Sequence, residues 1–405
     1  MRTCAKANKL DNVLYDVRGP VVDEAARMEE MGKKILKLNI GNPAPFGFTA
    51  PEEVILDIRD NIPECQGYSD SRGIFAARKA VMQYAQIKGI PNVSMKDVYT
   101  GNGASELIQM SLNALLNNGD EVLIPSPDYP LWTACTNLAG GKAVHYICDE
   151  QSDWYPDLAD IESKITPMTK AIVIINPNNP TGALYDTDVL KDMVQVAREH
   201  DLIIFSDEIY DRLVMDDLVH TSTAALAPDL TVVTMNGLSK SHSLCGYRCG
   251  WMAISGPRAS TETYKRGIVE LTSMRLCSNA LAQLVIPAAL EDMETPASMV
   301  RPGGRYFEQR KATLDVLDTI EGLSYVRNVA AFYLFPKLDA KKFGITNDKK
   351  FAGDLLRATN ILVVPGSGFD WAEPDHFRLV MLPEASQLRD AMIRLGNFLD
   401  GYHQK

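Results

Sequence analysis

Three short apolar runs, each ending in a polar turn, restrict the fold of this chain more than any other feature. Ala171-Ile172-Val173-Ile174-Ile175 is unbroken and rich in β-branched residues, the pattern of a strand buried on both faces. It runs into Asn176-Pro177-Asn178-Asn179-Pro180-Thr181-Gly182, a turn built from Asn, Pro and Gly. Leu202-Ile203-Ile204-Phe205 is the second run and ends in Ser206-Asp207-Glu208-Ile209-Tyr210. The third, Leu230-Thr231-Val232-Val233-Thr234-Met235, ends in Asn236-Gly237-Leu238-Ser239-Lys240. The stretches between the runs are long enough for crossover helices, which predicts parallel βαβ units and an α/β fold. In open parallel sheets ligands gather at the carboxyl ends of strands. Asn179, Asp207, Tyr210 and Lys240 all fall just past such ends.

Lys240 and Arg248, which follows in Cys245-Gly246-Tyr247-Arg248-Cys249-Gly250-Trp251, suit a carbonyl cofactor that also carries a phosphate. The lysine amine can form a Schiff base, and the guanidinium can clamp a phosphate by two parallel hydrogen bonds. The competing interpretation of such a lysine is a solvated surface charge. A phosphate cradle is a further candidate. Val98-Tyr99-Thr100 reads as a strand end, and Gly101-Asn102-Gly103-Ala104-Ser105-Glu106 opens the helix Leu107-Ile108-Gln109-Met110. Such a start leaves backbone N–H groups and a hydroxyl for an anion, aided by the helix dipole. The plainer alternative is an ordinary helix capped by Ser105 or Asn102. The other three motifs favour the phosphate.

With these motifs in hand, the chain resembles the fold-type I pyridoxal-phosphate enzymes of the class I and II aminotransferases. The shared segments, in family order, are NPNNPTG (176–182), SDEIY (206–210), GLSK (237–240) and the Arg248 segment. Asn39-Ile40-Gly41-Asn42-Pro43, Tyr68-Ser69-Asp70-Ser71-Arg72-Gly73, Pro127-Asp128-Tyr129-Pro130 and His376-Phe377-Arg378-Leu379 extend the likeness over nearly the whole chain. The N-terminal Tyr15-Asp16-Val17-Arg18-Gly19-Pro20 is narrower and resembles the start of bacterial alanine (glutamate–pyruvate) aminotransferases.

The resemblance implies pyridoxal 5'-phosphate as cofactor, amino acids and 2-oxo acids as substrates, and a cytoplasmic homodimer with shared active sites. It makes Lys240 the residue that bonds the cofactor and then shuttles a proton. Asp207 pairs with the protonated pyridine nitrogen, which keeps the ring an electron sink. Tyr210 and Asn179 hydrogen-bond the ring oxygen, and Tyr129 stacks on the ring or, on the plainer view, packs in the core. Gly103, Ala104, Ser105, Ser239 and Arg248 hold the phosphate, joined by Tyr68 from the partner subunit. Arg378 grips the substrate α-carboxylate, helped by Asn179 and by the Gly41 backbone, which lacks a side chain and so permits close approach. Tyr15 would gate the site and Arg18 would meet a second carboxylate, as in glutamate; the rival is an exposed N-terminal arm. The sequence also departs from the family pattern. Gly237 stands where many relatives have a hydroxyl residue. Ser243 and His242 stand where close alanine-type relatives have arginine and tyrosine, leaving one cation fewer near the phosphate. Cys245 and Cys249 form no C-x-x-C redox spacing and read as small packing residues.

The implied fold is a large domain, residues 49–285, with a mostly parallel seven-stranded sheet flanked by helices. A smaller α/β domain would combine residues 1–48 with 286–405. Residues 282–317 read as helical stretches broken near Thr295-Pro296 and at Arg301-Pro302-Gly303-Gly304. Tyr333–Pro336, Leu362–Pro365 and Phe377–Val380 read as strands of the small domain. The last helix should run from Ser386 to Leu399, with Leu388, Met392, Ile393, Leu395 and Phe398 on its apolar face. A chain of 405 residues supports two cores. A net charge of −11 argues against nucleic acid and anionic membranes. There is no apolar stretch of membrane-spanning length and no signal-peptide core at the start. Seven cysteines without paired spacing suit free thiols in a reducing cytoplasm, and six histidines show no metal-ligand spacing.

The expected activity is alanine transamination: L-alanine plus 2-oxoglutarate to pyruvate plus L-glutamate by ping-pong half-reactions. An aromatic or branched-chain aminotransferase and a carbon–sulfur β-lyase are rivals on the same fold, because selectivity lies in pocket shape. A non-enzymatic cofactor sensor is disfavoured: no basic helix-turn-helix is present, while Lys240, Asp207 and Arg378 are all retained.

Overall fold

In the computed structural model, which describes residues 4–11, 13 and 19–405, the three apolar runs lie side by side in one large sheet. The strands in chain order are β1 (Leu36–Lys37), β2 (Val98–Asn102), β3 (Glu121–Ser126), β4 (Lys142–Asp149), β5 (Tyr155–Pro156), β6 (Thr169–Ile175), β7 (Ile203–Asp207), β8 (Val232–Gly237) and β9 (Cys249–Ser255). They continue with β10 (Leu323–Ser324), β11 (Tyr333–Leu334), β12 (Lys337–Leu338), β13 (Ile361–Leu362), β14 (Val364–Pro365) and β15 (Phe377–Val380). The large sheet has the order β2-β9-β8-β7-β6-β3-β4-β5. β8, β7, β6, β3 and β4 are mutually parallel, whereas β9 is antiparallel to both its neighbours. The sheet has eight strands against the expected seven; the extra one is the two-residue β5, antiparallel on the edge of β4. Pro156 has no N–H to offer a further strand, so the ladder stops there.

Both faces of the sheet are apolar, which hides the period of two in the sequence. Ala171, Val173 and Ile175 of β6 join Leu107, Phe205, Val233 and Ile268 in one core layer. Ile172 and Ile174 point the other way and meet Leu123, Tyr146, Leu190 and Ile204. Each such Val or Ile buried contributes about 1.5–3 kcal/mol. Helices Ala104–Leu115 and Arg258–Arg275 cover the first face, and Phe75–Ile87 and Thr187–Glu199 the second. The last of these buries Leu190, Met193, Val194 and Ala197 at helical spacing, and Asp186 caps it by accepting from the Asp188 and Val189 N–H groups.

A second core gathers Leu38, Leu334, Phe343, Phe351, Leu355, Phe377, Leu379 and Leu395. Its strands are short: β11-β15-β14 form one antiparallel sheet, and β1 pairs in parallel with β13. Tyr333–Pro336 contributes only Tyr333–Leu334 as strand, and the 362–365 run is divided between β13 and β14. The helical stretch breaks between Glu291 and Glu294, ahead of Thr295-Pro296. Pro296 sits inside the first turn of helix Glu294–Val300, where a missing N–H costs nothing. The final helix, Ala385–Leu399, buries Leu388, Ala391, Met392, Leu395 and Leu399. Ile393, expected on that face, is 48% exposed, because one residue past Met392 is a turn of 100° away. No helix among the described residues is long and apolar enough to cross a membrane.

Candidate active site

The parallel register levels the strand ends. Ile175 pairs with Asp207, and Asp207 with Met235, so the turns carrying Asn179, Asp207 and Lys240 leave the sheet at one height. Asp207 is buried at the end of β7. Its Oδ2 accepts a hydrogen bond from Trp132 Nε1 at 3.2 Å and its Oδ1 one from the Ile209 N–H at 3.3 Å. Burial raises its carboxyl pKa to about 6, while the Trp132 and Ile209 bonds and the Lys240 charge pull it down. Asp207 is therefore mainly ionised at neutral pH in spite of its burial.

Beneath Asp207 the same turn is anchored by a buried polar network. Glu208 accepts from the Ser206 and Ser222 hydroxyls, and Asp211 from Tyr84 and Lys88. Glu208, Asp211 and His220 have the spacing of a metal site, but the Lys88 ammonium lies among them, 3.1 Å from Asp211 and 2.7 Å from His220 Nδ1. Burial and the Lys88 charge push His220 down to about 3, so it is neutral and accepts from the lysine.

Lys240 lies in a single helical turn, Leu238–Ser241, directly after β8. Its Nζ donates to the Gly41 carbonyl at 2.8 Å and lies 5.9 Å from the centre of the Phe332 ring. A Cβ at Gly41 would collide with the Tyr333 hydroxyl and come within 2.9 Å of Phe332, so only glycine fits. Tyr210 and Tyr333 meet hydroxyl to hydroxyl at 2.7 Å. Arg378, on β15, is buried; it donates to Asn179 Oδ1 at 3.0 Å and to the Asn39 carbonyl. Its guanidinium lies 4.6 Å from the ring centres of both Tyr333 and Phe369.

The glycine turn behaves as a cradle. Gly103 has φ +76° at the start of the helix and supplies no side-chain cap, so neither Asn102 nor Ser105 takes the capping place. Its N–H donates to the Arg248 carbonyl at 2.9 Å, and a Cβ on it would strike the Arg248 guanidinium. Arg248 itself donates to the Cys245 carbonyl at 2.9 Å. Gly250 lies between Gly101 and Gly237 in the sheet, and a Cβ there would run into the Gly103 and Ala104 backbone. Gly237 is equally constrained: a Cβ would stand 2.6 Å from the Cys249 carbonyl, which explains why no hydroxyl residue occupies it. Ser239 is buried, and its carbonyl accepts from the Cys245 thiol. His242 is buried against Ser241 Oγ at 2.9 Å, and burial lowers it to about 4, so it adds no cation. Ser243 adopts φ +59°.

Of the expected site residues, the structure brings Gly41, Asn179, Tyr210, Lys240 and Arg378 into one contact network, with Asp207 beside it and Gly103, Ala104 and Arg248 at the adjoining turn. Tyr129 is half-buried and near enough for its charge to affect Tyr210. Tyr68 is 82% exposed on this single chain. Tyr15 and Arg18 lie outside the described residues. Sequence reasoning missed Trp132, Tyr333, Phe332 and Asn39 as parts of the site. The available signal was Asn39, which lies in the segment Asn39-Ile40-Gly41-Asn42-Pro43 shared with the family.

A family model described as aminotransferase class I and II matches residues 33–395. The chain belongs to the class I and II aminotransferases. It is 52% identical over 404 residues, covering 100% of both chains, to the glutamate-pyruvate aminotransferase AlaA of Escherichia coli strain K12. It is 53% identical over 404 residues to an alanine aminotransferase of Mycobacterium bovis, covering 100% of this chain and 94% of the relative. A solved aminotransferase from Escherichia coli superposes with a TM-score of 0.98 at 52% identity, covering 100% of both chains. Class I and II aminotransferases carry pyridoxal 5'-phosphate and act on amino acids and 2-oxo acids. The residues present fit that cofactor. A buried, ionised carboxylate suits a protonated ring nitrogen. An amine at the neighbouring strand end suits its carbonyl, and a helix start that tolerates no Cβ beside an arginine suits its phosphate.

Proposed function

We propose that this chain is an alanine aminotransferase, converting L-alanine and 2-oxoglutarate to pyruvate and L-glutamate, reversibly and in two half-reactions. The observation that carries the reading is an amine and a buried carboxylate at neighbouring strand ends of the large sheet, met by a buried arginine from β15 of the second core. The full-length likeness to enzymes named for glutamate, pyruvate and alanine supports the substrate choice. An aromatic cluster lies beside Lys240: Phe48 and Tyr306 stack at 5.0 Å, and Phe332 tilts against Tyr306 at 5.3 Å and against Tyr333 at 4.8 Å.

When bound, pyridoxal phosphate supplies an electron sink for the bond broken at the substrate Cα. Asp207 keeps the proton on the ring nitrogen by staying ionised beside it. Lys240 takes the Cα proton and returns it, one amine serving as base and then acid. Arg378, steadied by Asn179, clamps the α-carboxylate, and the Gly41 backbone lies alongside. With the cofactor bound, Tyr210 and Asn179 would serve its ring oxygen and Tyr129 would stack on the ring. Gly103, Ala104, Ser105, Ser239 and Arg248 hold the phosphate, and Tyr68 of the partner subunit completes that hold in a homodimer. The high exposure of Tyr68 on one chain supports its reaching a neighbour. Tyr15 and Arg18 lie outside the described residues; the roles proposed for them are a gate and a contact for the second carboxylate of glutamate. Residues 49–285 on one side and 1–48 with 286–405 on the other are the two parts between which the substrate would bind in this reading. All seven cysteines are free thiols, which supports a reducing, cytoplasmic setting.

The test adds single amino acids to cofactor-loaded protein, follows the visible absorbance and identifies the oxo acids formed. L-Alanine and L-glutamate should bleach the band, and pyruvate and 2-oxoglutarate should restore it. A response to phenylalanine or leucine without one to alanine would overturn the substrate. Ammonia and pyruvate released from cysteine-type substrates without any oxo-acid acceptor would replace transamination by elimination.

A further inference from the structure

We propose that Tyr333 is a positioning residue that ties the substrate-carboxylate arginine to the tyrosine serving the cofactor ring oxygen. The inference rests on the aminotransferase reading and deepens it. Tyr333 touches three groups of the site at once. Its hydroxyl lies 2.7 Å from the Tyr210 hydroxyl, and it fills the space a side chain at Gly41 would need. Its ring lies 4.6 Å from the Arg378 guanidinium. The residue is buried and belongs to β11, whose pairing Tyr333 to Val380 and Leu334 to Leu379 brings it beside the strand that carries Arg378.

The hydrogen-bond count gives the hydroxyl its direction. Tyr210 has one proton. If that proton goes to the ring oxygen of the cofactor, Tyr210 must present a lone pair to Tyr333, and Tyr333 donates. A donor behind a donor polarises it and strengthens the forward bond. The environment supports this order: burial and the neighbouring Tyr333 push Tyr210 well above the ordinary phenol range, so it stays protonated. Arg378, Lys240, Tyr129 and Tyr306 face the pair. The ring has a separate duty. Together with Phe369 it offers a π-face to a guanidinium whose N–H groups already reach Asn179 and Asn39, which fixes the plane in which a carboxylate is met.

The two duties separate by substitution. Tyr333→Phe keeps the ring and removes the hydroxyl. The pH midpoint of the visible band of the lysine-bound cofactor should then move up by about half a unit to one unit. The deprotonated form leaves most charge on the ring oxygen and depends most on Tyr210. KM for L-alanine should stay within about twofold, since the guanidinium platform remains. Tyr333→Leu should shift the midpoint similarly and raise KM by about tenfold, because the π-face is gone as well. The KM against kcat split and the spectroscopic midpoint are readouts a merely structural role would not divide between the two variants. A wild-type band that titrates while Tyr333→Phe titrates at the same pH would overturn the proposal and leave the aminotransferase reading standing. A wild-type protein with no band after cofactor loading would overturn both.

Discussion

The two ends of the active site are built by different means. At the cofactor end, Asp207 closes a strand of five residues and Lys240 sits in the helical turn directly after a strand of six, so the hydrogen-bond ladders set their height. At the substrate end, Arg378 rides on a four-residue strand flanked by two-residue neighbours. Its guanidinium is placed by side chains and one carbonyl: Asn179, Tyr333, Phe369 and Asn39. Backbone register therefore fixes the chemistry, and side-chain packing fixes recognition. A substitution at the first end removes a step, whereas one at the second degrades a geometry.

Lys240→Ala breaks this contrast most strongly. It should lower kcat by roughly 10²–10⁴-fold through the lost proton transfer alone, and abolish the visible band on cofactor loading. Measured turnover with the band intact would remove Lys240 from the chemistry. Arg378→Lys tests the other end. A lysine keeps the charge and loses the bidentate fork, so KM for L-alanine should rise by about 10²-fold with a smaller fall in kcat. Equal losses in kcat and kcat/KM would place Arg378 in the chemical step and dissolve the distinction.

The smallest effect predicted concerns stability alone, for Asp207→Asn in cofactor-free protein. The carboxyl is raised from 3.8 to about 6 in the fold. A raised acid favours the protonated form in the folded state, so its contribution is present below pH 4 and is lost as pH climbs to 6. In cofactor-free protein, Asp207→Asn should therefore be more stable than wild type at pH 7 by an amount of up to about 3 kcal/mol. That gain should shrink as pH falls from 6 towards 4, and urea unfolding at several pH values would show it. A pH-independent difference would mean that Asp207 is not held in a desolvated place.

The contrast also explains what the sequence disclosed. Strands buried on both faces are continuous β-branched runs, so β6, β7 and β8 and the polar turns after them could be read directly. The residues proposed for the site, Lys240, Asp207, Asn179 and Tyr210, came with those turns. The second core was read less sharply: Phe377–Val380 is a strand as expected, but Tyr333–Pro336 and Leu362–Pro365 hold only two-residue strands. Two-residue strands have no period, and Tyr333 sits in Ala331-Phe332-Tyr333-Leu334-Phe335, where every residue looks like core. Trp132 was hidden for the same reason: an indole in an apolar helix start reads as packing until its N–H is seen to face Asp207. Ile393 failed differently, since an isoleucine beside Met392 matches the composition of the buried face but not its angle. Residues 292–293 ended a helix that Pro296 was expected to end, because proline is harmless in a first turn.

The level pairing of Ile175, Asp207 and Met235 makes the active site a counted quantity. Successive side chains on a strand alternate faces, so shifting β7 by one residue would preserve every backbone bond yet turn Asp207 toward the opposite core layer. The same slip would exchange Ile204 and Phe205 between the two core layers, so the packing that stabilises the sheet also enforces the alignment of the site. Specific activity and the melting curve should therefore report the same register.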